Sequence, residues 1–196
     1  MAGKKQFDIA TVLEAAMIQF WQAGYADTSM DDLCRTTGLN RSSIYASFGD
    51  KDALFIRCLQ RYATRYGDKY DAALSCAADR PLAAVQAFFD VTLARIADPG
   101  LPDGCLVAQT VMAAPVLSAS VTARAREAIG FQHTRLRDAL HAGRLHEESA
   151  DAFATHLAAV NQSLAVMSRT GASAQQLRVI VEVALGSLSQ TLGTNS

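Results

Sequence analysis

The chain has 196 residues, half of them hydrophobic and 19% charged, with a formal net charge of −1. It is long enough to bury one or two cores and too apolar for a disordered chain. Its charge lacks the bulk excess of a nucleic-acid binder: residues 1–51 carry five basic side chains (Lys4, Lys5, Arg35, Arg41, Lys51) against six acidic ones (Asp8, Glu14, Asp27, Asp31, Asp32, Asp50). Four prolines, 7% aromatics and no alternating apolar pattern of useful length indicate an all-α protein. No apolar run reaches the ~18 residues of a spanning helix, and Met1 to Asp8 is polar, with no apolar signal core. Cys34, Cys58, Cys76 and Cys105 make no C-x-x-C pair and have no histidine at ligand spacing. Free thiols in the cytoplasm, no metal and no cofactor are the expectation.

Residues 1–6 read as a loose arm whose Lys4 and Lys5 are solvated. Residues 7–23 form the first helix, with Ile9, Leu13, Ala16 and Phe20 on one side and Trp21 packed in the core; Gly24 ends it. A short helix follows Ser29, where Ser29 and Asp32 make a capping-box-like start with Asp in place of Glu or Gln. Gly38 ends it and Asn40 caps the next helix, residues 41–48. Ile44 and Phe48 face inward there, which leaves Arg41, Ser42, Ser43, Ala46 and Ser47 outside. Small hydroxyl residues and an arginine at a helix start suit close approach to a major groove and its phosphates. An ordinary pair of core helices with a solvated face has the same pattern, so the spacing alone leaves both open.

Thr28 through Leu54 resembles the DNA-binding segment of the TetR family of repressors. Thr28, Asp32-Leu33, Gly38-Leu39, Ile44-Tyr45, Phe48, Lys51 and Leu54 fall at the family's positions without a gap. The resemblance implies a three-helix helix-turn-helix domain over residues 1–51 and a helical ligand-binding and dimerisation domain over 52–196, about nine helices in all. It implies DNA contacts from Thr28, Arg41, Ser42, Ser43, Tyr45, Ser47 and Lys51, with Tyr45 and Lys51 on phosphates. Ser47 stands where many members have His, and Asp31 where a basic residue is frequent; both lower the positive charge of the DNA face.

Residues 52–76 read as one long helix that Gly67 softens, joining the reading head to everything downstream. Pro81 opens a helix to residue 97, and residues 98–104, with two prolines, are the clearest loop. Gly104 to Met112 is a short apolar helix; its Gly-Cys-Leu start resembles one TetR branch in which this helix borders the ligand cavity. Cys105, at that helix start, reads either as a small buried residue or as a dipole-activated thiol sensor. Residues 118–142 form a long helix with His133 and His141 near one face and no metal triad. Residues 150–170 and 173–191 make a final helical hairpin, apolar over much of its circumference. In the TetR family these two helices form the dimer interface.

These readings converge on a ligand-released, homodimeric regulator of a double-stranded, near-palindromic operator. The effector cavity candidates are Phe89, Leu93, Cys105, Gln109, Phe131, His133, Leu157 and Asn161, chosen as inward positions with a few polar groups. Two alternatives belong to other classes: an enzyme using Cys105 with a histidine, and a helical protein-interaction module whose head no longer binds DNA.

Overall fold

Short-range signals set the boundaries of the first four helices. A computed structural model describes residues 7–77, 79–143 and 145–194; the expected arm with Lys4 and Lys5 lies outside them. Helix α1 (Ile9–Ala23) starts two residues later than expected. The reason is Asp8, whose carboxylate accepts from the Ala10 and Thr11 amides at 3.1 and 3.2 Å and so fixes the first turn. Helix α2 (Met30–Thr37) carries the full capping box: Ser29 Oγ accepts from Asp32 N at 3.1 Å, and Asp32 accepts from Ser29 N at 2.9 Å. Gly38, at φ 70°, closes it in the left-handed region. Helix α3 (Arg41–Phe48) is capped by Asn40, which accepts from Ser43 N at 2.8 Å, and α4 (Lys51–Ser75) by Asp50.

The core of the head draws on α4 as well as α1–α3. Leu33, Ile44, Phe20, Phe55 and Leu59 are fully or almost fully buried, and the Phe20 and Phe55 rings lie 4.6 Å apart. Each such side chain contributes about 1.5–3 kcal/mol by leaving water. Glu14 of α1 accepts from Arg61 Nε at 2.8 Å and Arg65 Nη1 at 2.7 Å on α4. Arg65, with help from Arg61, holds the Glu14 carboxyl below the usual range against the opposing effect of burial. Cys58 packs inside, its Sγ 3.8 Å from the Leu13 carbonyl, and burial pushes its thiol up to about 12.

Beyond the head come α5 (Pro81–Ala97), α6 (Leu106–Met112), a 3₁₀ turn (Ala114–Val116), α7 (Ala119–Ala142), α8 (Glu147–Arg169) and α9 (Ala174–Thr194). Among the described residues this makes nine α-helices and no strand, the all-α class expected. None of these helices is long and apolar enough to cross a membrane. Helix α4 runs unbroken through Gly67. That glycine makes room instead of softening the helix: a Cβ there would sit 2.7 Å from Arg135 Nη2 of α7. Helix α8 starts three residues earlier than expected because the His146 carbonyl already accepts from Ala150 N at 2.8 Å.

Packing in this second part combines an aromatic column with a polar chain. Trp21, Tyr62 and Tyr66 stack edgewise or tilted, with centroids 5.0 and 4.6 Å apart along the series. Tyr70 and Thr92 share a hydrogen bond of 2.8 Å, Thr92 donates to Asn161 at 2.6 Å, and Asn161 donates to Gln132 at 3.1 Å. These four buried groups satisfy one another across α4, α5, α8 and α7, which fixes the helix register more specifically than apolar contact alone.

Candidate nucleic-acid interface

Helix α3 presents its polar side outward because Ile44 and Phe48, four residues apart, are pinned in the core. Arg41, Ser42 and Tyr45 are exposed, and Ser43 and Ser47 are half-buried. Ser42 Oγ donates to Asn40 Oδ1 at 2.8 Å, so the cap also orients the first hydroxyl of the face. Arg41 is already partnered: its Nη2 and Nε lie 2.9 and 3.2 Å from Asp31 Oδ1 on α2. The departure noticed at Asp31 therefore acts directly on the arginine that starts α3.

The start of α4 carries a second cluster. The Lys51 ammonium sits 4.1 Å above the Tyr25 ring, and burial lowers its proton affinity. The Tyr25 hydroxyl donates to Asp52, and burial followed by that carboxylate raises the phenol above its ordinary value. Asp52 is held below its usual range first by the nearby Ser118 hydroxyl and then by the Tyr25 hydrogen bond. Ser118 is the N-cap of α7, so the start of α7 lies near the residue beside Lys51. Thr28 differs from the other expected contacts. It is fully buried, and its hydroxyl donates to the Gly24 carbonyl at 2.6 Å, so its side chain stabilises the turn before α2.

The eight cavity candidates scatter. A cleft of about 410 Å³ between α4 and α7 is lined by Tyr62, Tyr66, Tyr70, Gln132 and Arg135, and of the eight by Phe131 alone. Leu93 lines a separate groove with Leu177 and Arg178. Phe89 and Leu157 are core residues, and Asn161 lies in the polar chain one step behind Gln132. His133 faces α8, 3.4 Å from Asp151 and 3.2 Å from Thr155 Oγ1. Cys105 is buried at the N-cap of α6. Gln109 turns onto the end of α1, donating to the Phe20 and Trp21 carbonyls at 3.2 and 3.0 Å. Among the described residues, no three His, Cys, Asp or Glu side chains gather as a metal site.

Residues 12–58 match the family model of the bacterial regulatory proteins, tetR family, and residues 81–184 match the tetracyclin repressor-like C-terminal domain. The chain belongs to the TetR family. It is a DNA-binding transcriptional regulator with an N-terminal helix-turn-helix. This TetR regulator is 28% identical over 186 residues to the HTH-type transcriptional repressor ComR of Escherichia coli, covering 92% of this chain and 89% of that one. It is 27% identical over 198 residues to the uncharacterized HTH-type transcriptional regulator YezE of Bacillus subtilis, covering 96% and 100%. The solved structure of a cysteine mutant of the TetR family regulator CifR, complexed with 26-base-pair operator DNA, superposes with a TM-score of 0.78. Its identity is 28%, with 92% of this chain and 96% of that chain covered. A TetR regulator from Chloroflexus aurantiacus shares the fold at a TM-score of 0.81 and 22% identity, covering 91% and 92%.

Sequence reasoning missed Tyr25, Gln132 and the pairing of Asp31 with Arg41. Tyr25 follows a helix-ending glycine and carries no periodic signal; only the fold brings it to Lys51 and Asp52. Gln132 sits on a helix of mixed polarity, where nothing local separates a cleft residue from a solvated one.

Proposed function

We propose that this TetR regulator is a homodimeric repressor of a near-palindromic DNA operator, acting in the cytoplasm and released by a small-molecule effector. The observation that carries the dimer is on α9. One stripe, Leu177, Val181, Ala184 and Leu188, is buried in the chain's own core. A second stripe, Val179, Val183 and Gly186, faces water, with Val183 71% exposed, and α8 adds exposed Val166 and Met167. An exposed apolar patch on two terminal helices favours burial against a second copy. Two α3 helices would then read two half-sites, with Arg41, Ser42, Ser43 and Ser47 toward bases or sugars and Tyr45 and Lys51 on phosphates. The repressor named among the relatives supports the sign of regulation.

Effector binding is assigned to the cleft between α4 and α7. Its aromatic floor and the Gln132 amide suit a small organic molecule with a polar group. A ligand that spreads α4 from α7 would move the start of α7, at Ser118, relative to Asp52 beside Lys51 and shift the head away from its DNA-binding position. On this reading residues 1–51 read DNA, residues 52–196 bind effector and partner, and the start of α4 serves both.

Val183→Glu tests the dimer. Sedimentation is expected to show a monomer, and operator affinity is expected to fall by roughly a hundredfold or more as two-headed binding is lost. A variant that stays dimeric would remove the α8–α9 face from the account.

A further inference from the structure

The end of α1 is held by side chains from the second part of the chain. A helix terminus leaves carbonyls without intrahelical partners and concentrates partial negative charge. Helix α1 has no basic residue in its own last turn. Its Trp21 carbonyl accepts from Gln109 Nε2 of α6 at 3.0 Å and from Arg169 Nη1 of α8 at 3.5 Å. The Gln109 amide also reaches the Phe20 carbonyl, and Arg169 donates to Gln109 Oε1, so the amide is oriented from both ends.

The anchorage behind these two residues is tight. Arg95 of α5 is 5% exposed, with its guanidinium 5.8 Å from the Trp21 ring and 5.5 Å from the Tyr66 ring, and it donates to the Gly104 carbonyl. Gly104 N donates to Ser168 Oγ at 3.0 Å. The Arg169 stem crosses Gly104 so closely that a Cβ there would lie 2.7 Å from Arg169 Cδ, at a φ of +85° that already favours glycine. Neither arginine has a carboxylate within ion-pair distance among the described residues. Of the two, Arg169 reaches the electronegative end of α1, and Arg95 lies over the Trp21 ring behind it.

We infer that Gln109 and Arg169 are positioning residues for DNA recognition: they form a C-terminal cap on α1, supplied by the second part of the chain, that sets the angle of the reading head. Helix α1 packs on α2, α2 packs on α3, and the turn that follows the end of α1 leads straight into α2. Arg169 is two residues beyond Met167 of the exposed patch, so the cap fixes the head relative to the helix that would meet a partner. The inference rests on the dimeric operator reading. Its mechanism is a population effect. Without the cap the head samples several angles, and affinity for a fixed half-site spacing falls with the competent fraction.

Gln109→Leu, Arg169→Met, the double variant and Arg169→Lys are compared with wild type by operator selection from random duplexes and by hydrogen exchange on the free proteins. The single variants are expected to bind the wild-type operator roughly tenfold more weakly. They are also expected to spread the selected half-site spacing and to exchange the amides of α1–α2 faster, with little change in thermal midpoint. The double variant is expected to be no worse than the worse single, because the two groups act as one unit, and Arg169→Lys is expected to recover part of the loss. Unchanged spacing and affinity in both singles, or penalties that add in the double, would overturn the inference. If wild type selects no two-half-site operator, the dimeric reading falls on its own. Hydrogen exchange then decides the cap: faster exchange in both singles sustains it and unchanged exchange overturns it.

Discussion

Asp31→Ala is expected to tighten DNA binding while blurring its sequence preference. Asp31 holds Arg41 through two contacts to one oxygen, at 2.9 and 3.2 Å, on the face assigned to DNA. Both side chains are well exposed, 57% for Arg41 and 77% for Asp31, so the pair contributes little to folding. Its effect on DNA is larger. The carboxylate repels phosphates and occupies the guanidinium that would neutralise one. Each phosphate neutralised adds about 0.9 to the slope of log affinity against log salt, so freeing one arginine per protomer steepens a dimer's slope by roughly 1.8. Between 200 and 50 mM salt that gives the variant an advantage of roughly tenfold over wild type. The freed arginine also loses its orientation, so discrimination at one position of each half-site should fall. Fluorescence anisotropy on the selected operator and on scrambled duplexes, across a salt series, reads both effects. A variant with unchanged slope and unchanged scrambled-duplex affinity would refute the idea that Asp31 restrains Arg41.

Glu14→Gln is expected to cost about 1 kcal/mol at pH 7, since the carboxylate pairs with two arginines but keeps a third of its surface in water. Because the folded-state pKa is lowered, that contribution is complete above about 4.5 and disappears as pH falls through the folded value. Denaturant titrations at pH 7 and in acid should therefore show the gap between wild type and variant closing. Ile44→Ala removes a fully buried side chain between α3 and the rest of the head, and should destabilise the protein by roughly 2–5 kcal/mol in the same assay. An effect below about 1 kcal/mol would show that α3 is held mainly by its caps.

The parts legible in the sequence were those fixed within a few residues of chain. Ser29, Gly38, Asn40 and Asp50 act on amides and carbonyls no more than four positions away, and all four sit at the helix ends their chemistry suggests. The alternation of buried and exposed positions on α3 follows from Ile44 and Phe48 alone. Long-range chemistry was not legible in the same way. Gln109 had the marks of a cavity residue, a polar group in an apolar helix, but an equally good use for its amide lay at the end of α1, far away in sequence. Thr28 has a side chain suited to a phosphate, and it spends that hydroxyl on the Gly24 carbonyl. Phe131 lines the cleft, whereas Leu157 at a similar apolar position packs in the core, because only the crossing of α7 with α4 and α8 decides which face stays open.

Operator selection from random duplexes, run with wild type, Tyr45→Phe and Lys51→Ala, tests the central claim most directly. Tyr45 is exposed on α3 and Lys51 lies over Tyr25 at the start of α4, and neither is among the buried core residues of the head. The expected result is one enriched palindrome for wild type, bound more weakly by both variants, with a shallower salt dependence for Lys51→Ala. Absence of any enriched site at low salt, or a palindrome bound equally well by all three proteins, would contradict the assignment of this face to DNA.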